Sequence, residues 1–381
     1  VKQQITLGAE KIGPYIGENC PFENLAPYPY INETMGELQR IQVGPVEYGY
    51  YLFGEKDSEL PPLVFIMGWT GTIQQWVPPM LKAAADAREV LVFDNRGIGE
   101  SFDANEANNG TITIKGMAES TLDLVNSLNL ATPDIFGWSM GGEIGLTMAA
   151  LYPDKISKVI SLAGDLGGPN IAIENEPQYK YIDDVLANPS QDPKASAAKL
   201  AALFPAYLNN TEKPLESACT FIRSFVSLPG DPATGQNITY QSLGENAFMN
   251  ETYTYDGISK STTPILLITG AEDVVAPYPQ VFDATMRRVP AGTLGVVLPN
   301  TGHGAMYTYP ELITELTNAF SKADADDALE AVKKVTDTLP GSVVKVAGGD
   351  SPAPPPPSGS VRSKAMVLGL VFCAFGSFLF K

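Results

Sequence analysis

Ser139 lies in the stretch DIFGWSMGGEIG, residues 134–145, with Gly137 and Gly141 on either side, a short apolar run before it and a helical pattern after it. A serine hydroxyl is a weak nucleophile at neutral pH and attacks only where a base within hydrogen-bond reach can take its proton. The chain has one histidine, His303, in LPNTGHGAMYTYP between Gly302 and Gly304. Glycines on both sides give close backbone approach and no packing, which argues against a histidine that merely fills a core. An imidazole acting as base needs a carboxylate to orient it and to stabilise its charged form. PILLITGAEDVVAP offers Asp273, with Glu272 as the neighbouring alternative. The chain order Ser139, Asp273, His303 is that of a nucleophile, an orienting acid and a base for acyl transfer. The competing reading makes Ser139 a helix cap, because serine is among the residues favoured there.

The elements that must position these side chains follow from hydrophobic periodicity. Apolar runs predict strands near 63–67, 89–94, 134–138, 157–162, 264–269 and 293–298, alternating with helical patterns near 75–87, 115–129, 141–151, 277–288 and 308–321. That alternation is the signature of βαβ units in a largely parallel sheet. A hairpin precedes them, LQRIQVG and VEYGYYLFG joined at Gly44-Pro45. Ser139, Asp273 and His303 each fall just beyond the C-terminal end of a predicted strand, the edge at which open α/β sheets bind ligands.

On these residues the sequence resembles the α/β-hydrolase fold superfamily, over about residues 38–321. LVFIMGWTG, 63–71, is similar to the strand and loop that supply half of the oxyanion hole there, and LVFDNRGIGES, 91–101, to the Asp-x-Arg-Gly-x-Gly-x-Ser turn after the next strand. The resemblance implies backbone N–H donors at Trp69 and at Met140, the residue after the nucleophile. Many relatives have His-Gly where this chain has Met67-Gly68; the donor is a backbone amide, so the exchange leaves it in place. Asp94 and Arg96 are expected to brace their turn. Between Asp165 and Thr263 the strand and helix alternation breaks, and KASAAKLAALFPAYL and ESACTFIRSFVSL read as helices of an inserted cap that would select the substrate.

The expected class is α/β, a mostly parallel α/β-hydrolase sheet with a helical cap insertion. Its parts are an N-terminal extension (1–37), a first core segment (38–165), the cap (166–263), a second core segment (264–321), an acidic helix (322–345), a proline-rich spacer (346–364) and a hydrophobic tail (365–381). The expected activity is a serine hydrolase acting on a small-molecule acyl ester through an acyl-enzyme. The alternatives are a serine aminopeptidase, a lyase or perhydrolase on the same residues, and a non-catalytic cell-surface binding module. A dehalogenase or epoxide hydrolase would place Asp where Ser139 stands. No metal or organic cofactor is expected, since histidines and cysteines do not cluster.

The chain is long enough, at 381 residues, for one domain of about 280 residues with attachments. A net charge of −18 argues against nucleic acid and against an anionic membrane surface as partners. The spacer GGDSPAPPPPSGS leads into AMVLGLVFCAFGSFLF, marginal in length for a membrane span and in keeping with a cleaved glycolipid-anchor signal whose attachment site falls among Gly348, Gly349 and Asp350; the expected attachment is a lipid anchor or, as the alternative, a transmembrane tail. Sequons at Asn32, Asn109, Asn209, Asn237 and Asn250 accord with a secretory route to the cell surface. Of the three cysteines, Cys20 and Cys219 form the one pair outside the tail, and both a disulfide and two free thiols fit the sequence.

Overall fold

The computed structural model describes residues 26–56, 58–104, 112–169, 171, 216–231, 235–273 and 275–348. Its strands are β1 (Gln39–Val43), β2 (Val46–Gly54), β3 (Leu63–Ile66), β4 (Glu89–Phe93), β5 (Phe102–Asp103), β6 (Asp134–Trp138), β7 (Val159–Leu162), β8 (Ile265–Gly270), β9 (Leu294–Leu298) and β10 (Val343–Val346). The helices are α1 (Ile31–Met35), α2 (Pro78–Ala85), α3 (Ile114–Ser127), α4 (Met140–Leu151), α5 (Glu216–Ser227), α6 (Gly235–Phe248), α7 (Tyr253–Ile258), α8 (Gln280–Met286), α9 (Ala305–Thr308), α10 (Pro310–Lys322) and α11 (Ala328–Thr336).

One sheet carries the fold, in the order β1-β2-β4-β3-β6-β7-β8-β9-β10, with β5 pairing β2. From β4 to β9 the pairs are parallel, while β1, β2, β5 and β10 pair antiparallel at the two ends. Continuous apolar runs such as Leu63–Ile66 make the central strands, because a parallel sheet is covered on both faces and has no solvent side to fill with polar residues. Successive residues serve opposite faces. Leu63 and Phe65 pack with Met80 and Leu81 of α2 and with Leu316 and Phe320 of α10, whereas Val64 and Ile66 pack with Met117 of α3 and Ile144 of α4. At roughly 25 cal/mol per Å² of apolar surface, these two layers supply most of the stabilisation.

The hairpin forms as expected, with Val43 opposite Val46. The helical pattern near 75–87 divides into a 3₁₀ turn over Ile73–Gln75 and α2, which starts at Pro78, where a missing N–H and a fixed φ suit the first helical position. Two boundaries need correction. Residues 322–345 are not a single acidic helix: α11 buries Ala328 and Val332, and the chain then returns as β10, antiparallel to β9. Val343 and Val346 are exposed on this edge strand, so its sequence has neither the long apolar run nor the alternation that marks a strand. The extension, in turn, contains α1, whose Ile31 and Met35 are buried in the core. ESACTFIRSFVSL forms α5; β10 takes in Val346, the first residue of the expected spacer, while KASAAKLAALFPAYL, residues 349–364 and the tail lie outside the described residues. Cys219 on α5 is disulfide-bonded, and Cys20 lies outside the described residues. Among the described residues no helix is long and apolar enough to cross a membrane.

A buried ion pair fixes the lower end of the sheet. Arg88 Nη1 donates to Asp134 Oδ2 at 2.7 Å with both side chains inaccessible, and Nη2 donates to Asn318 and Ser321 of α10. Removing one member leaves the other charge buried without its partner, so Arg88→Ala should lose about 3–5 kcal/mol in denaturant titration. Arg88→Met combined with Asp134→Leu, which removes both charges, should recover most of that loss.

Candidate active site

The turn from β6 into α4 places Ser139 at φ 55° and ψ −124°, a region that non-glycine residues rarely occupy. Its crowding accounts for the flanking glycines. A Cβ at Gly137 would lie 2.1 Å from the Gly141 carbonyl oxygen, and one at Gly141 would lie 2.0 Å from that of Ile66. Ser139 makes no side-chain capping bond to α4; its carbonyl instead accepts from Gly142 and Glu143. The hydroxyl is therefore not spent as a cap. Met140 occupies the first position of α4, where a helix has no internal acceptor for its N–H and where the helix dipole is positive.

His303 lies on the loop after β9, buried at 5% exposure, and its Nδ1 faces Asp273 Oδ2 at 3.0 Å. Asp273, in the loop after β8, is buried as well, and its other oxygen accepts the backbone N–H groups of Val275 at 2.9 Å and Ala276 at 3.0 Å. Both carboxylate oxygens are thus engaged, and Nδ1–H bonded to Asp273 leaves Nε2 as the acceptor nitrogen. Of the two neighbouring acids, Asp273 is the one that reaches the imidazole; burial raises the Glu272 carboxyl. Trp138, immediately before Ser139, donates through Nε1 to the His303 carbonyl at 2.9 Å, and its ring lies 5.6 Å from the imidazole. The histidine loop is thereby fastened to the serine turn.

The loop after β3 runs alongside. A Cβ on Gly68 would come within 3.1 Å of the Ser139 Cβ, which places this loop against the elbow. Asn95 donates to the Met67 carbonyl at 2.9 Å, and the Ile73 N–H donates to Asp94 Oδ1 at 2.6 Å. Asp94 also accepts from the Glu100 N–H at 2.7 Å, and Arg96 pairs with Asp103, so the Asp-x-Arg-Gly turn braces this loop and its own. Complete burial pushes the Asp94 carboxyl up to about 7 despite these two bonds. Between its braced ends the loop carries Trp69, and the elbow carries Met140, the two amides singled out from the sequence.

Residues 61–310 match the family model described as alpha/beta hydrolase fold. The chain belongs to that family. It is similar to the biotin biosynthesis bifunctional protein BioHC of Teredinibacter turnerae, 20% identical over 289 residues; the match takes in 73% of this chain and only 47% of that relative's length. Among solved structures it is similar to a thermophilic esterase from Thermogutta terrifontis (TM-score 0.55, 20% identity, 79% of this chain and 99% of that one). It is also similar to the enol-lactonase from Burkholderia xenovorans (TM-score 0.55, 24% identity, 75% of this chain and 100% of that one).

In this alpha/beta hydrolase fold the segment between β7 and β8 brings two groups of polar residues that the sequence did not disclose. Gln241 and Ser242 of α6 bind the Trp69 loop: Gln241 Oε1 accepts the Thr70 N–H and Ser242 Oγ accepts from Trp69 Nε1 at 3.0 Å. One turn into α4, Glu143 shares a side-chain hydrogen bond with Glu245 of α6, close to Asp165 after β7. Burial, and then the neighbouring carboxylates, push Glu143 well above its usual range; burial pushes Glu245 up to about 8 and Asp165 up to about 6. Two carboxyl groups can bond to each other only if one keeps its proton. Neither group was legible in advance, since a polar residue buried by a helix from elsewhere looks like any surface position. Among the described residues no cluster of histidine, cysteine and carboxylate side chains is arranged to hold a metal ion.

The retained proton sets a sign for stability against pH. The folded chain holds a proton on Glu143 above the usual pKa of 4.5, where the unfolded chain has released it, so the wild type loses stability as pH rises from there. Glu143→Gln is neutral throughout. Thermal melts of the two proteins should lie closest together below about pH 4.5 and separate progressively as pH rises above it, with the variant the more stable.

Proposed function

We propose that this chain is a serine hydrolase that cleaves an ester or related acyl bond through an acyl-enzyme. The observation that carries the reading is the buried His303 to Asp273 hydrogen bond at 3.0 Å, on a loop whose His303 carbonyl is held by Trp138, the residue next to Ser139. Ser139 Oγ attacks the acyl carbonyl as His303 Nε2 takes its proton, and Asp273 stabilises the imidazolium. The Trp69 and Met140 amides receive the negative charge that develops on the carbonyl oxygen. His303 returns the proton to the leaving group, then activates water to release the acid. The helices between β7 and β8 act as a cap that shapes the acyl pocket. Support also comes from the names of the similar structures, an esterase and an enol-lactonase.

The tail carries a second part of the proposal: residues 365–381 act as a glycolipid-anchor signal, with attachment near Gly349 and the enzyme held at the cell surface. Asn32 and Asn250, two of the five sequons, are exposed. Anchor-specific phospholipase should release the protein from intact cells, and recovery of a membrane-bound peptide containing Lys381 would overturn this part.

A fluorophosphonate probe should label the wild type at Ser139 and react far more slowly with His303→Ala. Ser139→Ala and His303→Ala should each lower kcat on p-nitrophenyl esters by about 10⁴-fold to 10⁶-fold while the fold survives, and the double variant should be scarcely worse, since members of one relay are not additive. Equal labelling with and without His303 would make the base idle and end the reading.

A further inference from the structure

Two successive residues of α6 hold two successive residues of the loop after β3. Gln241 accepts the Thr70 N–H, and Ser242 accepts the Trp69 indole N–H. Gln241 is fully buried, and its Nε2 lies 3.8 Å from Met117 Sδ, a weak acceptor, so the bond to Thr70 is the strong contact that sets its amide. Thr70 is at φ 55°, a conformation costly for a β-branched residue and kept only where surroundings impose it. The peptide between Trp69 and Thr70 is therefore held by a side chain from a helix distant in sequence. That helix is a firm support: a Cβ on Gly244 would come within 1.7 Å of the Ile112 carbonyl oxygen, so α6 meets the start of α3 backbone to backbone.

We propose that Gln241 is a positioning residue for the oxyanion-binding loop: it fixes the Trp69–Thr70 peptide, and through it the orientation of the adjoining Trp69 amide toward the substrate carbonyl. The proposal rests on the reading of Ser139 as nucleophile. It makes α6 part of the catalytic apparatus as well as a wall of the pocket. Without the acceptor at position 241 the strained peptide can turn over and relax, and the loop then presents its amide correctly in only a fraction of molecules. Transition-state binding is lost and ground-state binding is not.

Gln241→Met keeps the volume and removes the acceptor. On p-nitrophenyl butyrate it should lower kcat about tenfold to a hundredfold with KM within about twofold, somewhat less than the loss on deleting an oxyanion donor outright. Gln241→Glu, which keeps an oxygen in the same place, should recover most of the rate. Fluorophosphonate labelling of Ser139 should slow in Gln241→Met in parallel with kcat. If Gln241→Met does not fold, Gln241→Asn, which withdraws the oxygen by one methylene, carries the same expectation. A raised KM with kcat unchanged, or a Gln241→Glu variant as slow as Gln241→Met, would make the residue a packing element and overturn the proposal. A wild type that labels at Ser139 beside a Gln241→Met variant of equal kcat and labelling rate would overturn it while leaving the serine hydrolase reading intact. A wild type that fails to label would remove both.

Discussion

The backbone of Ser139 is the constraint on which the rest of the site depends. Its positive φ turns the chain sharply between β6 and α4, and its carbonyl takes up the N–H groups of Gly142 and Glu143 at the helix start while its side chain makes no capping bond. Such a conformation costs on the order of 1–3 kcal/mol and persists only when the surroundings over-determine it. Here the surroundings are the parallel pairing of β6 with β3 and β7 and the close approach of Gly141 to the Ile66 carbonyl. The sheet is not a neutral platform: it holds one strained residue in place.

Around that residue the C-terminal edge is tied together by buried polar contacts. Asn95 and Asp94 hold the two ends of the Trp69 loop, Gln241 holds its middle, and Trp138 holds the His303 loop. Each is a single side-chain bond to a backbone group, worth about 1 kcal/mol net but costly to leave unmade in a buried place. Such bonds are directional, which apolar contacts are not. A directional bond fixes the conformation of the loop that it holds, where an apolar contact at the same place would leave it free to turn.

The acids of this chain divide by surroundings. Most of its 43 Asp and Glu residues contribute to the charge of −18, but Asp94, Glu143, Asp165 and Glu245 are enclosed and have their carboxyl groups raised by burial. Asp273, also buried, faces an imidazole and two backbone N–H groups. Residues of one type thus serve several ends: surface charge, a proton-sharing contact between α4 and α6, the bracing of loops by Asp94, a buried ion pair at Asp134 and the hydrogen bond to His303.

The sequence alone determined the sheet's parallel centre, because apolar runs of four to six residues alternating with amphipathic helices have few other ways to bury both faces. It also determined the order and loop placement of Ser139, Asp273 and His303, since a single histidine between glycines narrows the choice of base. Three matters were decided only in the tertiary structure. Glu272 and Asp273 are adjacent in sequence, and it took the geometry of the loop after β8 to bring Asp273 to Nδ1 of His303. β10 reads as an unremarkable four-residue stretch, and it became a strand because the exposed edge of β9 offered unpaired backbone groups. Gln241 and Glu245 carry no periodic or motif signal: a polar side chain in a helix is written the same way whether it meets water or a strained loop, and only the docking of α6 on the core decided which.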